Sequence, residues 1–324
     1  MSIQDAFQPA LLVSEIYALL LEDYRGNTDE LMVDTIERVS EEGFFRGAAL
    51  LPVVSAGQRS RLARILERTG LSLTVWFNPL IAAERLDLSS LDETLRKRSV
   101  QRLKECFEQA VETGAEFLGL CSGPDPKPGS AEIRAEATAR FQESLLELCQ
   151  AAQGHSRTVI LEPLDRGAHK NGLIGPVSEA APLVERVRSS FSNVTLCWDS
   201  AHTALCGEDL LDSLELAAGT IAQIHLSSAV LDRGKPGFGD HHMPPGPPGF
   251  LDVETAARIF ERAVQVGLFG SEGSGSAVLR GAVRTGALPY VTVEARTPPG
   301  RDPWEMIAIC ARFMTEAWER QGAR

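Results

Sequence analysis

The chain has 324 residues, with 32 Lys+Arg against 44 Asp+Glu, giving a formal net charge of −12. With 44% apolar and 23% charged residues, disorder is excluded and a substantial core is available; the length suits either two domains or one large barrel. The acid surplus argues against a duplex nucleic acid partner, which needs clustered Lys and Arg.

No apolar run approaches about 18 residues, and the first 20 residues lack the basic start and cleavage site of a signal peptide, so no membrane partner is expected. The six cysteines (Cys106, Cys121, Cys149, Cys197, Cys206, Cys310) form no CxxC pair. They read as reduced thiols of a cytoplasmic protein.

In chain order, short apolar runs alternate with longer amphipathic ones. A strand is needed near 10–16, and a helix follows at 28–42, beginning at Thr28 and ending before Gly43. Strand 46–52 precedes helix 58–69, strand 71–77 precedes helix 91–113, and strand 116–121 precedes helix 130–153. Strands 158–164, 194–199 and 221–226 are followed by helices 177–190, 208–218 and 253–266, and strand 290–294 by helix 303–320. The strand-like runs are short, rich in Val, Ile, Leu and Thr, and not two-faced, as parallel strands covered on both sides require. Leu103, Phe107, Ala110 and Val111 carry the inward stripe of a helix.

Eight strand–helix units joined by right-handed crossovers predict a closed (β/α)8 TIM barrel filling residues 1–324 as a single domain. A doubly wound open sheet is less favoured, because no GxGxxG follows a strand. Two segments break the rhythm: the Gly/Pro/His loop 229–249, long enough to suggest function, and an insertion near 267–288 containing GSEGSGSA.

Four ionisable residues interrupt apolar runs at corresponding strand ends: Glu162 in VILEPLDR, Asp199 in LCWDSAH, His225 in QIHLSS and Glu294 in VTVEAR. Burying any of them without a partner costs several kcal/mol, roughly 2–7. Arg166 and Arg296 are near enough in sequence to pair with the glutamates. A cation shared by all four explains the pattern better than four separate pairings. Three carboxylates and one imidazole suit Mn, Mg or Co, with Zn also allowed.

The set LEPLDR, WDSAH, IHLSS, GDHHMPPG and TVEAR resembles the xylose-isomerase-like barrels over roughly 44–320. These include ketose 3-epimerases, hydroxypyruvate isomerases, inosose dehydratases and endonuclease IV. By that resemblance Glu162, Asp199, His225 and Glu294 match a single metal site, and His202 matches a histidine that contacts a substrate oxygen. LEPLDR looks most like the LEPLNR of the epimerases, but Asp165 stands for the Asn, Gly167 for an aromatic and Ala168 for a glutamate. The substrate end of the pocket therefore differs.

Endonuclease IV is similar at His202, Asp240 and His242, which match ligands of its additional zinc ions. It also draws histidines from the second and third strand regions, whereas all six histidines here lie at 155 or later. Xylose isomerase itself carries a lysine where this chain has Pro163 and Leu164. The resemblance implies a divalent-metal-dependent isomerase or epimerase of a small sugar or polyol derivative. Glu162 and Glu294 would then be acid and base on either side of an enediolate held by the metal.

A lyase or dehydratase of inosose or dehydroshikimate type is the alternative, and a DNA-repair nuclease is less favoured. Substrate contacts are expected from His202, Arg166, Asp240, His242, Trp76 and Arg296. Asp240 and His242 are weighed against a second metal site with His202 or simple turn-capping, and Trp76 against a core role. Cys121 and Ser122 end the fourth strand, where a buried Cys is expected. His155, His169 and His241 are expected at the surface. A homo-oligomer remains open.

Overall fold

A computed structural model of the chain describes residues 2–18, 28–126, 130–270 and 288–323. Eight parallel strands close into a barrel: β1 (Gln8–Leu12), β2 (Gly47–Leu50), β3 (Ser72–Trp76), β4 (Phe117–Leu120), β5 (Thr158–Leu161), β6 (Val194–Asp199), β7 (Ile221–Ser227) and β10 (Tyr290–Glu294). Going round the barrel, each strand neighbours its predecessor in this series, and β10 closes the ring by pairing Gln8 with Tyr290 on β1. The predicted TIM barrel is the observed fold.

Outside the strands run the long helices α3 (Asp29–Glu42), α4 (Ala56–Thr69), α6 (Glu93–Glu112), α7 (Ala131–Gly154), α8 (Val177–Arg188), α10 (Leu210–Ala217), α11 (Val253–Gln265) and α12 (Pro303–Gly322). Their ends are chemically specified. Asp92, Ser130, Asp209, Asp252 and Asp302 each accept a backbone N–H from the first turn of the helix they precede. No helix among the described residues is long and apolar enough to cross a membrane.

Four short helices were not anticipated: α1 (Ile3–Ala6), α2 (Val13–Ile16), α5 (Asn78–Ala83) and α9 (Ser200–Leu205). The first strand lies earlier than the expected 10–16, because register with β10 begins at Gln8; the chain then turns into α2. A helical turn of four residues is too short to leave a periodic signature. Within the loop 229–249, β8 (Ala229–Val230) and β9 (Gly239–Asp240) form a small antiparallel pair. Of the insertion expected near 267–288, residues 271–287 lie outside the described residues.

Two apolar layers hold the barrel. Inside the strand ring, Leu12, Ala49, Trp76, Phe117, Ile160 and Cys197 pack together; a larger layer fills the space between strands and helices. The inner layer forms the floor of the C-terminal mouth, and glycine at 119 makes room for Trp76 within it. A Cβ added at Gly119 would lie 2.2 Å from the Trp76 ring. Gly119→Ala is therefore expected to destabilise the fold by about 1–3 kcal/mol through overpacking, read as a lower urea midpoint. An unchanged midpoint would show that Trp76 is free to move aside.

Candidate active site

The barrel register brings the four strand-end residues together. Asp199 pairs with His225 across β6 and β7, and Glu294 pairs with Ser227 across β7 and β10; Glu162 follows the last residue of β5. One ligand atom from each of Glu162, Asp199, His225 and Glu294 lies within 4.8 Å of all the others, and all four residues are buried. His225 Nδ1 is 3.0 Å from Glu162 Oε1 and 3.3 Å from Glu294 Oε2. Glu162 Oε2 accepts a hydrogen bond from Asn78 Nδ2 at 2.6 Å.

Ser227 Oγ sits between Asp199 Oδ2 and Glu294 Oε2. One hydroxyl proton cannot serve two ionised carboxylates. Burial, with the charges of Glu294, Glu162 and Asp240, pushes the Asp199 carboxyl up to about 7 despite the nearby His202. Glu294 goes the other way: burial raises it, but His242 and His225 outweigh burial and hold it below the ordinary carboxylate range. The pocket thus contains more negative charge than its own groups neutralise comfortably.

A cation answers that excess. Glu162 and Glu294 converge on His225 Nδ1, and the donor set of three carboxylates and one imidazole fits a hard or borderline divalent ion. Two other groupings meet the same distance limit, Glu162–Cys197–His225 and Glu15–His242–Glu294. Burial pushes the Cys197 thiol up to about 12, which disfavours the thiolate a metal needs. Glu15 is already committed to His242 and Arg296, each at 2.6 Å.

Around this centre opens a cavity of about 560 Å³. Glu162, His225, Glu294, His202, His242 and Arg296 line it, as does Trp76, whose ring meets His225 edge-on at 5.2 Å between centroids. His202 is fixed from both sides. Its backbone N–H donates to Asp199 Oδ1 at 2.8 Å, and its Nδ1 lies 3.3 Å from the fully buried Asp165. Burial opposes its charge, but Asp199, Asp165 and Asp240 push His202 up to about 9, so it carries a proton at neutral pH.

The other residues expected at the substrate are placed less directly. Asp240 is not among the cavity-lining residues; it lies 2.8 Å from His242 Nε2, 3.2 Å from Lys170 Nζ and 4.0 Å from His202 Nε2. His242 adopts a left-handed backbone (φ +51°), and its carbonyl accepts the Arg296 N–H. Arg166 does not line the cavity; its guanidinium reaches Glu179 and the Leu173 carbonyl. Neither Arg166 nor Arg296 pairs with Glu162 or Glu294.

Near the surface His241 donates to the Phe238 carbonyl and His155 to Glu108, and His169 stacks beside His241 at 4.5 Å. Cys121 is buried at the cavity wall. Sequence reasoning gave no role to Glu15, Asn78, Asp165 or Ser227, and read Lys170 only as a residue of the loop after the fifth strand able to touch an anionic substrate. Ser227 ends β7 and the other four sit in loops or short helices that carry no periodic signal, although Asp165 and Ser227 fall inside motifs already singled out.

A family model described as xylose isomerase-like TIM barrel matches residues 33–279. A probable endonuclease 4 of Thermoplasma acidophilum is 27% identical over 135 residues, 41% of this chain and 42% of that protein. A probable endonuclease 4 of Solibacter usitatus is 25% identical over 196 residues, 57% and 63% respectively. The chain thus spans less than two thirds of the length of either curated relative. Among solved structures, an L-ribulose 3-epimerase superposes with a TM-score of 0.68 at 16% identity over 98% of this chain and 96% of that one. The IOLI protein with a binding zinc atom gives 0.66 at 15% identity over 97% and 99%. At these identities the structural likeness establishes the fold.

The crowding at Asp199 has a measurable consequence. Its pKa is raised in the folded state from the usual 3.8 to about 7, so its contribution to stability is full below about pH 4 and is lost as pH rises through 7. In EDTA at pH 8, Asp199→Asn is expected to stabilise the protein by up to about 4 kcal/mol, with the gain vanishing near pH 4. The same variant is expected to bind divalent ions more weakly. Destabilisation in EDTA at pH 8, by urea denaturation, would contradict the account of the site.

Proposed function

Because this chain belongs to the xylose isomerase-like TIM barrel family, we propose that it is a divalent-metal-dependent isomerase or epimerase acting on a small sugar or polyol derivative. The observation that carries this reading is the pair of carboxylates Glu162 and Glu294, both lining the cavity and both in reach of His225 Nδ1. Glu162, Asp199, His225 and Glu294 would hold the ion, which supplies Lewis-acid polarisation of a carbonyl and its neighbouring hydroxyl.

The remaining chemistry belongs to the side chains. Glu294 lines the cavity with Oε2 3.3 Å from His225 Nδ1, a position from which its carboxylate takes a proton from the carbon beside the carbonyl. Glu162, oriented by Asn78, returns a proton to the opposite face or to the adjacent carbon; the first outcome is epimerisation and the second isomerisation. His202 lines the cavity and donates to a substrate oxygen, while Trp76 supports the substrate from the floor. The zinc named for one structural neighbour agrees with a borderline ion in such a site.

A lyase is the second reading, and the Asp165–His202 pair favours it. A protonated imidazole with its other nitrogen held by a buried carboxylate can protonate a departing hydroxyl. The curated relatives suggest a nuclease instead, but the chain has no histidine before 155 and carries a net charge of −12, neither of which helps a polyzinc DNA enzyme.

The three readings separate in one set of assays on Mn-, Mg-, Co- and Zn-loaded protein in D2O. Deuterium uptake at carbon without loss of water identifies an isomerase or epimerase, loss of water identifies a lyase, and incision of abasic-site DNA identifies a nuclease. Glu294→Gln is expected to lower turnover about 10²–10⁴-fold with circular dichroism unchanged; full turnover would remove Glu294 from the proton path. For the lyase reading, Asp165→Asn is expected to lower kcat more than KM and to shift the upper limb of the pH profile downward, because His202 loses a partner that holds its proton.

A further inference from the structure

Lys170, Arg296 and Arg85 are the Lys and Arg side chains that line the cavity, and the first two are already paired. Lys170 Nζ lies 3.2 Å from Asp240 Oδ2, and Arg296 Nε 2.6 Å from Glu15 Oε2. Arg85 is exposed on the turn after α5, and its guanidinium has no ion-pair or hydrogen-bond partner among the described residues. An arginine free in water is ordinary on a protein surface. One that faces a cavity, in a chain of net charge −12, offers an anion a local attraction that the protein as a whole does not.

The backbone at this position does not favour arginine. The Leu86 N–H donates to the Ile81 carbonyl at 2.9 Å and the Arg85 N–H to the Ala82 carbonyl at 3.2 Å, a pair of bonds that places one left-handed residue just beyond the helix. Arg85 is that residue, at φ +52°. Glycine is the usual occupant, because a Cβ there crowds the following carbonyl oxygen. The flanking residues hold the turn rigid. Glu84 receives both Nε and Nη2 of Arg102 at 2.8 and 2.9 Å, the Asp87 N–H donates to Ser99 Oγ at 2.9 Å, and the Leu88 carbonyl accepts Ser144 Oγ at 2.7 Å. None of these bonds uses the Arg85 guanidinium. A strained residue fixed from both sides, with its side chain left uncommitted at a cavity, is the arrangement of a ligand clamp.

α5 also sets the distance from this arginine to the reaction centre. Asn78, its first residue, donates to Glu162. Arg85 follows its other end, roughly 10 Å along the axis at about 1.5 Å per residue, and Pro79, Ile81 and Ala82 line the cavity between the two. We propose that the substrate carries an oxyanion, phosphate or carboxylate, at the end remote from its hydroxy-carbonyl group, and that Arg85 binds it. This rests on the metal-dependent reading above and narrows its substrate class to phosphorylated or acidic sugar and polyol derivatives. A guanidinium offers two parallel N–H donors to either oxyanion. Held at the rim, it fixes which end of the substrate reaches the carboxylate centre.

Three hydroxamates test this with one chelating head, one polyhydroxy chain and three different far ends. D-arabinonohydroxamate ends in a hydroxymethyl group, 5-phospho-D-arabinonohydroxamate in a phosphate and D-arabinaric monohydroxamate in a carboxylate. Binding of each to the manganese-loaded protein is measured by calorimetry and corrected for its affinity for free Mn2+. At least one anionic probe is expected to bind about tenfold tighter than the neutral one, and the larger gain identifies the group that Arg85 takes. In Arg85→Gly the gain is expected to fall below about threefold while the neutral probe binds as before; glycine suits the left-handed backbone, so the urea midpoint is expected to hold or rise. Arg98→Gln removes one positive charge from an exposed position on α6 and is expected to keep the full gain. Equal binding of the three probes, a gain that survives Arg85→Gly, or a gain lost equally in Arg98→Gln overturns the anion site and leaves the metal-dependent reading standing. If the protein retains no manganese, or binds none of the three, the metal-dependent reading fails and the anion site falls with it.

Discussion

Crowding of like charge at one end of the barrel is the constraint on which the rest depends. Glu162, Asp199 and Glu294 converge around His225 within 4.8 Å, and Asp165, Asp240 and Glu15 form a second row behind them. Opposing them are Lys170, Arg296 and the imidazoles of His202, His225 and His242. Buried ionisable groups of one sign are costly unless something of the other sign is brought in. The protein meets part of that cost with protons, raising His202, His225 and His242 and leaving Asp199 near 7. A divalent ion would meet the remainder, which links the unfavourable electrostatics of the metal-free site to the chemistry proposed for it.

The fold can tolerate this arrangement because it is rigid elsewhere. Strand pairing sets the height of each ligand: Asp199 stands opposite His225, and Glu294 opposite Ser227. No side chain has to search for its neighbours. The inner layer of Leu12, Ala49, Trp76, Phe117, Ile160 and Cys197 supports the ligands from below, so the cost of gathering charge is offset by apolar burial on the same strands. Second-row groups then hold orientation. Asn78 aims Glu162, Asp165 aims His202, and Glu15 ties His242 to Arg296 across the seam between β1 and β10.

Much of this was legible in the sequence, and the boundary of legibility has a physical cause. The barrel and the convergence of Glu162, Asp199, His225 and Glu294 could be read because an ionisable residue at the end of an apolar parallel strand has few innocent explanations. Val194–Asp199 and Tyr290–Glu294 were read to the residue. Glu15 was hidden because 10–16 looked like one strand, while the chain leaves the sheet at Leu12 and turns through α2, which carries Glu15 over the mouth. Arg166 looked like a substrate ligand by its place in LEPLDR, yet loop geometry after β5 sends it to Glu179 and brings Lys170 inward to Asp240 instead. Loop directions follow from turn conformation and packing, not from periodicity, so a reading built on periodicity stops at the strand ends.

The distribution of histidine makes a last connection between site and substrate. Every histidine lies at 155 or later, so β1 to β4 contribute no imidazole to the mouth; their last residues are Leu12, Leu50, Trp76 and Leu120. That one compositional asymmetry weakens a polynuclear metal site, because the first four strands offer no imidazole to a second or third ion. That half of the mouth is mixed in character: Leu12, Leu51, Pro79, Ile81 and Leu86 line the cavity beside Ser14, Asn78, Arg85 and Ser122, so the buried carboxylates are gathered on one side of the cavity and the other side holds the ligand by shape and by scattered polar groups.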